Sequence, residues 1–310
     1  MENEHAIKYL FRHQVDTTKW DQRVEQAANG FIYSLSFYLD RLCVWDALVM
    51  GDYDFVMPLP IRKKAGFQYV YTPRFGGQLG IAGSSAVTEK IFNAFINAIP
   101  RKIVYFDLLL NEQNTVPPRE GLVSVVKTNF IIPLQLPYPT IYDNYSRDAK
   151  KNLRQAAARL LFTEPVEPGI VLDMYRQAYG HLADNTEKDY KRFQLIMQDA
   201  LACGNGFIAG VKNAGGELLA SAFFGMDNKR IYYLMGAPTA QGRKDNAVYF
   251  LINEIIKKHA GTQRVFDFEG SDIVSVADFY RKFGPQQVSY PHLIINRLPF
   301  FLKWLKRTGF

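Results

Sequence analysis

The chain has 310 residues, 48% of them hydrophobic, and a formal net charge of +7. That length buries one large core or two medium ones, and the positive surplus favours anionic partners such as phosphates, nucleic acid or a membrane surface. Cys43 and Cys203 are far apart and outside any CxxC pattern, and the histidines (His5, His13, His181, His259, His292) show no HxH or HExxH spacing, so a disulfide framework and a metal site are set aside.

The N-terminal "MENEHAIKYLF" carries no apolar signal core, and no run of about 18 apolar residues follows. The expectation is a cytoplasmic protein that is neither exported by a standard route nor membrane-spanning. "TTKWDQRVEQAANG" reads as a helix ended by Gly30. "CVWDALVM" and "DFVMPLPIRKK" flank Gly51-Asp52, a hairpin signal, and "FQYVYTP" reads as a third strand. The glycine-rich "YTPRFGGQLGIAGSS" follows, with Arg74 beside Phe75. Two readings stand: a long turn that needs positive φ, or a loop lining a cleft between two halves. "SAVTEKIFNAFINAI" then reads as an amphipathic helix and "KIVYFDLLL" as a buried strand.

"IIPLQLPYPTIYDNYS" carries Pro133, Pro137 and Pro139. Proline cannot donate to a ladder and biases its predecessor toward extended backbone, so this is a strand passing into a linker. Beyond it, "SRDAKKNLRQAAARLL" has Ser146 as a cap, with Arg147, Lys150, Lys151 and Arg154 three and four residues apart on one helical face. Ala149, Leu153, Ala156 and Leu160 lie on the other side. The cationic face is either a solvated surface or a landing strip for phosphates. No aromatic residue interleaves it, so stacking on single-stranded bases is not indicated.

The helices "IVLDMYRQAYGHL" and "EKDYKRFQLIMQDALACG" come next, then strands "GFIAGVK", "ELLASAFFGM" and "RIYYLMGA". "GAPTAQGRKD" leads into helix "NAVYFLINEIIKKHAG", which Asp245 or Asn246 can cap. A glycine-bearing loop before a helix N-terminus offers free N–H groups to an anion, and Arg243 and Lys244 add charge; an ordinary polar connection is the competing reading. Strand "RVFDF", helix "VADFYRKFG" and strand "QVSYPHLIIN" close the unit. In "LPFFLKWLKRTGF", Phe300, Phe301, Trp304 and Leu305 face one side of a helix and Lys303, Lys306 and Arg307 the other. It is expected to dock on the fold, with peripheral membrane contact as the alternative.

A three-strand meander, a helix and a buried strand thus occur twice, which implies two copies of one mixed α/β fold, 1–138 and 139–297, followed by the terminal helix 298–310. No GxSxG elbow, GxxxxGK[ST] loop or GxGxxG after a strand is present. Asp267 and Glu269 share a face of the strand that ends at Gly270, with Glu269 one strand away from the "GAPTAQGRKD" loop. Either they pair with Arg264, Arg281 or Lys282, or they face a reaction site.

"ADFYRKFG" after a buried strand resembles the last helix of GNAT-fold acyltransferases, and "RIYYLMGAPTAQGRKDNAVYFLINEIIKKHA" resembles the strand–loop–helix that holds the donor's pyrophosphate there. Together with "KWDQRVEQAANGFIYSLSFYLD" and "WDALVMGDYDFVMPLPIRKKAG", most of the chain resembles the FemAB-like group of tandem GNAT-fold transferases, relatives of enzymes that add amino acids to peptidoglycan precursors. The resemblance implies two tandem GNAT-like domains, each a mixed, mostly antiparallel sheet flanked by helices. It implies transfer of an acyl or aminoacyl group from a thioester or ester donor to an amine acceptor, small or lipid-linked, with acyl-CoA or aminoacyl-tRNA as donor. It places Tyr280 where many relatives keep the acid that protonates the leaving group; Fem-type enzymes carry a lysine in that helix, and Lys282 lies nearby. Glu269 is the expected base or amine-positioning residue, with Asp267 in support. Gln241, Gly242, Arg243, Lys244 and Asn246 form the expected phosphate loop, supplemented by the Arg147 face. The family pattern [QR]xxGx[GA] is matched only in part, since Asp245 and Asn246 stand where a glycine is usual. That departure is expected either of a donor other than acetyl-CoA, such as aminoacyl-tRNA, or of a loop that is not a donor site. Plain acetyl-CoA-dependent acetylation, and a non-catalytic scaffold binding RNA or a phosphorylated lipid, are the alternatives. The implied location is the cytoplasm, with the inner membrane surface as a place of work.

Overall fold

The computed structural model describes residues 6–64, 66–181, 184–270 and 272–300. They divide into two compact units: residues up to Lys127 with those from Ser289 onward, and Thr128–Val288. The sequence reading drew one boundary at 138/139 and kept everything to 297 in the second domain. The division of the described residues falls within two strands, over residues 122–133 and 286–296.

The first unit runs β1 (Ile7–Phe11), α1 (Thr17–Gln26), α2 (Ser36–Leu42), β2 (Trp45–Met50), β3 (Phe55–Lys64), β4 (Phe67–Tyr71), β5 (Ala82–Gly83), α3 (Glu89–Ala98) and β6 (Ile103–Leu109). β7 (Leu122–Pro133) leads into the second unit. There α4 (Tyr138–Asp143), α5 (Arg147–Ala157), β8 (Leu160–Thr163), α6 (Pro168–Tyr179), α7 (Glu187–Cys203), β9 (Gly206–Asn213), β10 (Leu218–Met226), β11 (Arg230–Pro238), α8 (Ala240–Lys244), α9 (Ala247–His259), β12 (Val265–Asp267) and α10 (Val274–Arg281) follow. β13 (Gln286–Asn296) returns the chain to the first unit.

In the first unit the strand order is β1-β2-β3-β4-β6-β13, with β5 on β3. Its β2–β3–β4 meander is antiparallel, and β4 pairs parallel with β6 through the α3 crossover. The expected hairpin at Gly51-Asp52 is present, with Met50 opposite Phe55. Asp16 caps α1 by accepting from Thr18 and Lys19 backbone N–H, and Thr88 caps α3. Trp20, Trp45, Phe92, Phe95 and Phe106 are fully buried, each contributing roughly 1.5–3 kcal/mol by leaving water. The strand expected to close the second unit gives residues 292–296 of β13 to β6, His292 opposite Leu109 and Asn296 opposite Tyr105.

In the second unit the strand order is β7-β12-β11-β10-β9-β8. The β9–β10–β11 meander is antiparallel, and β11 pairs parallel with β12 through α8 and α9. The twofold order of meander, helix and strand is therefore real. α5 ends at Ala157, so Leu160 belongs to β8 and not to the helix expected through it. Both still bury Leu160, which joins Ala149, Leu153 and Ala156 against Leu251, Ile252 and Ile255 in the core. No described helix is long and apolar enough to cross a membrane. The terminal helix expected from Phe300 lies, apart from its first residues, outside the described residues.

Candidate active site

β11 and β12 pair for three residues only, Arg230↔Val265, Ile231↔Phe266 and Tyr232↔Asp267. β11 then runs on to Pro238, while β12 turns toward β7, where Phe268 N donates to Phe130 O. Two local features part them. Phe223 faces Met235 and Phe224 faces Tyr233, so Leu234 is an extra residue on β11, and a bulge of this kind sharpens twist. After Asp267, Glu269 and Gly270 both take left-handed backbone, with φ of 68° and 66°. A Cβ at Gly270 would stand 2.3 Å from Thr128 O, so only glycine lets the turn press against β7. Among the described residues, the β12-side edge of Tyr233–Pro238 is consequently paired with no strand.

Glu269 is half-buried and holds a conformation that costs a non-glycine residue on the order of 1 kcal/mol. Asp267 maintains it. This carboxylate is fully buried; Oδ1 accepts from Asn129 Nδ2 at 2.8 Å and from Glu269 N at 2.8 Å, and Oδ2 accepts from Arg230 Nη1 at 2.7 Å. Of the cations considered from the sequence, Arg264 instead donates to Asp227 O, and Arg281 pairs with Asp278. Arg230, on the neighbouring strand, takes Asp267.

Tyr280 is buried on α10, edge-on to Tyr233 and packed on Phe268 with ring centroids 4.7 Å apart. Burial, then the negative charge of Glu269, raises its hydroxyl well above the ordinary tyrosine value, with smaller contributions from Tyr179, Tyr175 and Asp267. Tyr233 is raised by burial and by Tyr280, Tyr179 and Tyr175. Glu269, Tyr280, Tyr233 and the two α6 tyrosines thus form one electrostatic neighbourhood. Tyr175, Tyr179 and Tyr233 were not singled out from the sequence; the i, i+4 tyrosines of "YRQAY" were the available signal.

"GAPTAQGRKD" is not an open loop. Thr239 caps the short α8, its hydroxyl accepting from Gly242 N at 2.9 Å. Gly242 is buried where a Cβ would lie 1.9 Å from Leu219 O, so this glycine serves close packing on β10. Gln241 donates to Asp245, which is therefore not the cap of α9. Asn246 is the residue before α9, at φ 60°, with no side-chain capping bond. Among the described residues, the cap position of α9 therefore supplies no side-chain acceptor to its first N–H groups. Arg243 is exposed and reaches over the Tyr179 ring at 5.7 Å, joining the loop to the tyrosine cluster; Lys244 is exposed beside it.

α5 forms as expected, capped by Ser146, with Arg147, Lys151 and Arg154 exposed and Ala149, Leu153 and Ala156 buried. Lys150 is bound locally, donating to Asp143 O at 2.9 Å and lying 5.4 Å over the Tyr142 ring. α5 starts beside the end of α10, where Ser146 N donates to Lys282 O. In the first unit Arg74 is exposed and Phe75 takes φ 60°, its carbonyl accepting from the Tyr38 hydroxyl at 2.7 Å. The positive-φ reading of that loop is met. Among the described residues no group of three potential metal ligands converges.

No family model and no curated protein matches the chain. Its fold is that of known tandem GNAT structures. FemX superposes with a TM-score of 0.70 at 12% identity, covering 97% of this chain and 100% of that one. L-PGS from Bacillus licheniformis gives 0.54 at 14% identity over 94% and 95%. A tandem GNAT protein from the clavulanic acid biosynthesis pathway gives 0.52 at 10% identity over 95% and 99%.

Proposed function

We propose that the second unit transfers an acyl or aminoacyl group from an activated ester or thioester to an amine. The observation that carries this reading is the parting of β11 from β12 directly above Glu269 and Tyr280. The donor's carbonyl is placed against the unpaired edge of β11, whose N–H groups stabilise the oxyanion as the amine adds. Glu269 orients the amine and takes its proton, and Tyr280 gives its proton to the leaving oxygen or sulfur as the carbonyl re-forms. The two steps are coupled. Glu269 loses its charge when it takes the amine proton, which removes a cause that holds Tyr280 protonated. Asp267, with both oxygens engaged, positions Glu269 and does not exchange protons.

Within this reading an oxygen ester is the favoured donor. Asp245 and Asn246 stand where the acetyl-CoA loop pattern carries a glycine, which disfavours a CoA thioester. The uncapped N-terminus of α9, Arg243 and the exposed cations of α5 supply contacts for the phosphates of such a donor, as in aminoacyl-tRNA.

Thermal unfolding with deacylated tRNA, acetyl-CoA and a longer acyl-CoA tests the proposal. A donor at about 100 times its Kd adds about 2.7 kcal/mol, or roughly 4–8 °C in Tm. Stabilisation by tRNA that fades with salt supports the ester donor. Stabilisation by a CoA compound alone assigns a thioester donor. No shift with any of them overturns the donor site.

A further inference from the structure

The end of α6 and the α8 turn bring together side chains to which the proposed transfer gives no task. Tyr175 and Tyr179 stand one helical turn apart on α6, edge-on, with ring centroids 5.6 Å apart. Tyr175 also lies 6.5 Å from the Tyr190 ring on α7, which steadies the α6 pair. From α8, the Arg243 guanidinium reaches over the Tyr179 ring at 5.7 Å. Arg243 follows directly on Gly242, whose close packing on Leu219 fixes this turn. α6 packs on β11, and Tyr175 and Tyr179 lie within electrostatic reach of Tyr233 and Tyr280.

Two properties set this group apart. Arg243 is exposed and is held over a ring, and among the described residues no acid pairs with it. Arg176, on the same helix as the tyrosines, differs: its Nη2 lies 2.7 Å from Glu187 while its guanidinium covers Tyr190 at 4.4 Å. Secondly, the hydroxyls of Tyr175, Tyr179, Tyr233 and Tyr280 have no hydrogen-bond partner among the described residues, and none of these oxygens is fully enclosed. Tyr280 keeps only 8% of its exposure, and the other three are half-buried. A phenol both donates and accepts, and unmade bonds at such depth are costly, so the cluster is suited to a ligand that brings hydroxyl groups of its own. The arginine–tyrosine pair is suited to a planar π-system, which stacks on a guanidinium as on a ring. A bare phosphate would leave the ring and the phenols unused, and a flexible acyl chain would leave the guanidinium and the phenols unmet. A ribonucleoside uses all three.

We infer that Tyr179 and Arg243 form a stacking platform for the base of an adenine ribonucleotide, whose sugar hydroxyls bond the neighbouring phenols. Adenosine is carried by CoA and by the 3′ end of a tRNA alike, so the platform suits either source. Its use in seating the donor rests on the transferase reading; the binding itself does not.

Calorimetric titration of the full-length protein compares adenosine 5′-monophosphate (AMP) with ribose 5-phosphate, which lacks the base. AMP is expected to bind saturably and at least about tenfold more tightly, the scale of one stacked base. Tyr179→Leu should weaken AMP about tenfold and leave ribose 5-phosphate unchanged, whereas Tyr179→Phe, which keeps the ring, should retain most of the affinity. Arg243→Gln should also weaken AMP, and Arg243→Lys, which restores the charge without the plane, should recover little of the loss. A 2′,3′-dideoxy analogue of AMP should bind severalfold more weakly, through lost contacts to the phenols. Equal affinity for AMP and ribose 5-phosphate, or unchanged AMP binding in both Tyr179→Leu and Arg243→Gln, overturns the inference. If Tyr179→Leu does not fold, the exposed Arg243 position and the AMP contrast decide. A four-nucleotide RNA ending in an unpaired adenosine and CoA are then competed against AMP. Displacement by the RNA assigns an RNA-borne adenosine, displacement by CoA assigns CoA, and displacement by neither overturns the inference. AMP binding without transfer from any donor would sink the transferase reading alone, and transfer by a protein that does not bind AMP would sink this inference alone.

Discussion

In the first unit, β4 and β6 pair from Gln68↔Ile103 to Tyr71↔Asp107 and meet again at Leu79↔Leu110. Between these points the glycine-rich loop leaves the sheet, but both its ends are stitched down. Thr72 Oγ1 accepts from Leu109 N, Leu79 N donates to Leu109 O, and Asn111 N donates to Leu79 O. Just beyond, the amides of Asn29, Asn111 and Asn114 all donate to Ile81 O. In the second unit the corresponding strands, β11 and β12, part after Tyr232↔Asp267 and do not pair again among the described residues. The same topology is closed in one copy and open in the other. The irregularities explain it: the first unit skips a residue at the start of its pair, between Gln68 and Tyr69, whereas the second carries its bulge mid-strand and adds a left-handed turn at Glu269–Gly270. A fold is duplicated by its hydrophobic pattern, but a reaction site needs the seam to open, and that is settled by two or three residues.

The sharpest way to break this comparison is to compare one residue at the open seam with one at the closed seam. Glu269→Gln should lower kcat/KM by about 10²–10⁴-fold, the usual range for a lost acid–base group, with Tm unchanged; parent-like turnover would remove Glu269 from the chemistry. Asp267→Asn should cost about 3–5 kcal/mol in denaturant unfolding, because it removes the carboxylate charge that the buried Arg230 guanidinium faces. The double change with Arg230→Met should be milder than the sum of the single ones; strict additivity would show that the pair is not coupled. At the closed seam, Asn114→Ala should cost about 1–3 kcal/mol by orphaning buried groups while transfer per folded molecule stays at the parental level. A fall comparable to that of Glu269→Gln would mean that both seams take part in the reaction.

The smallest expected effect is a pH dependence confined to the second unit. Burial, then the charges of Lys258 and Arg264, hold His259 below its ordinary value against the pull of Glu164. The unfolded chain binds this proton more readily. The contribution to stability is therefore complete above about pH 6.5 and is lost as pH falls below that value through the lower folded one. Urea midpoints between pH 7.5 and 5.5 should show the decline, and His259→Gln should flatten it. An equal slope in the variant would assign the effect to other groups.

Much of this architecture was legible in the residues. Alternation and helical spacing located the two meanders, the helix after each and the strands that follow. Ser146 and the cationic positions of α5 were readable because a helix face depends only on spacing within one segment. The pattern of "FDFEGS…FYRKFG" pointed to the fold, and it brought Glu269 and Tyr280 forward as the residues to watch. What spacing could not supply were relations between segments. Tyr175, Tyr179 and Tyr233 join Tyr280 only because α6 packs on β11. Arg230 rather than Arg264 takes Asp267 because Arg264, three residues earlier in the same segment, falls on the opposite face, whereas the parallel pairing of Tyr232 with Asp267 puts Arg230 on Asp267's own face. Asn246 read as a cap from its side chain, yet its left-handed backbone carries that side chain away from the helix end. The lack of aromatics within α5 hid Tyr142, which α4 brings under Lys150. Asp107 and His292, 185 positions apart, meet because β13 returns to the first sheet. The sequence by itself determined the elements, their order and the twofold plan, since these follow from local propensity and hydrophobic period. Which copy opens, and which polar groups meet there, was decided by the tertiary structure, because bulges, strand register and packing across distant segments are set only when the sheets form.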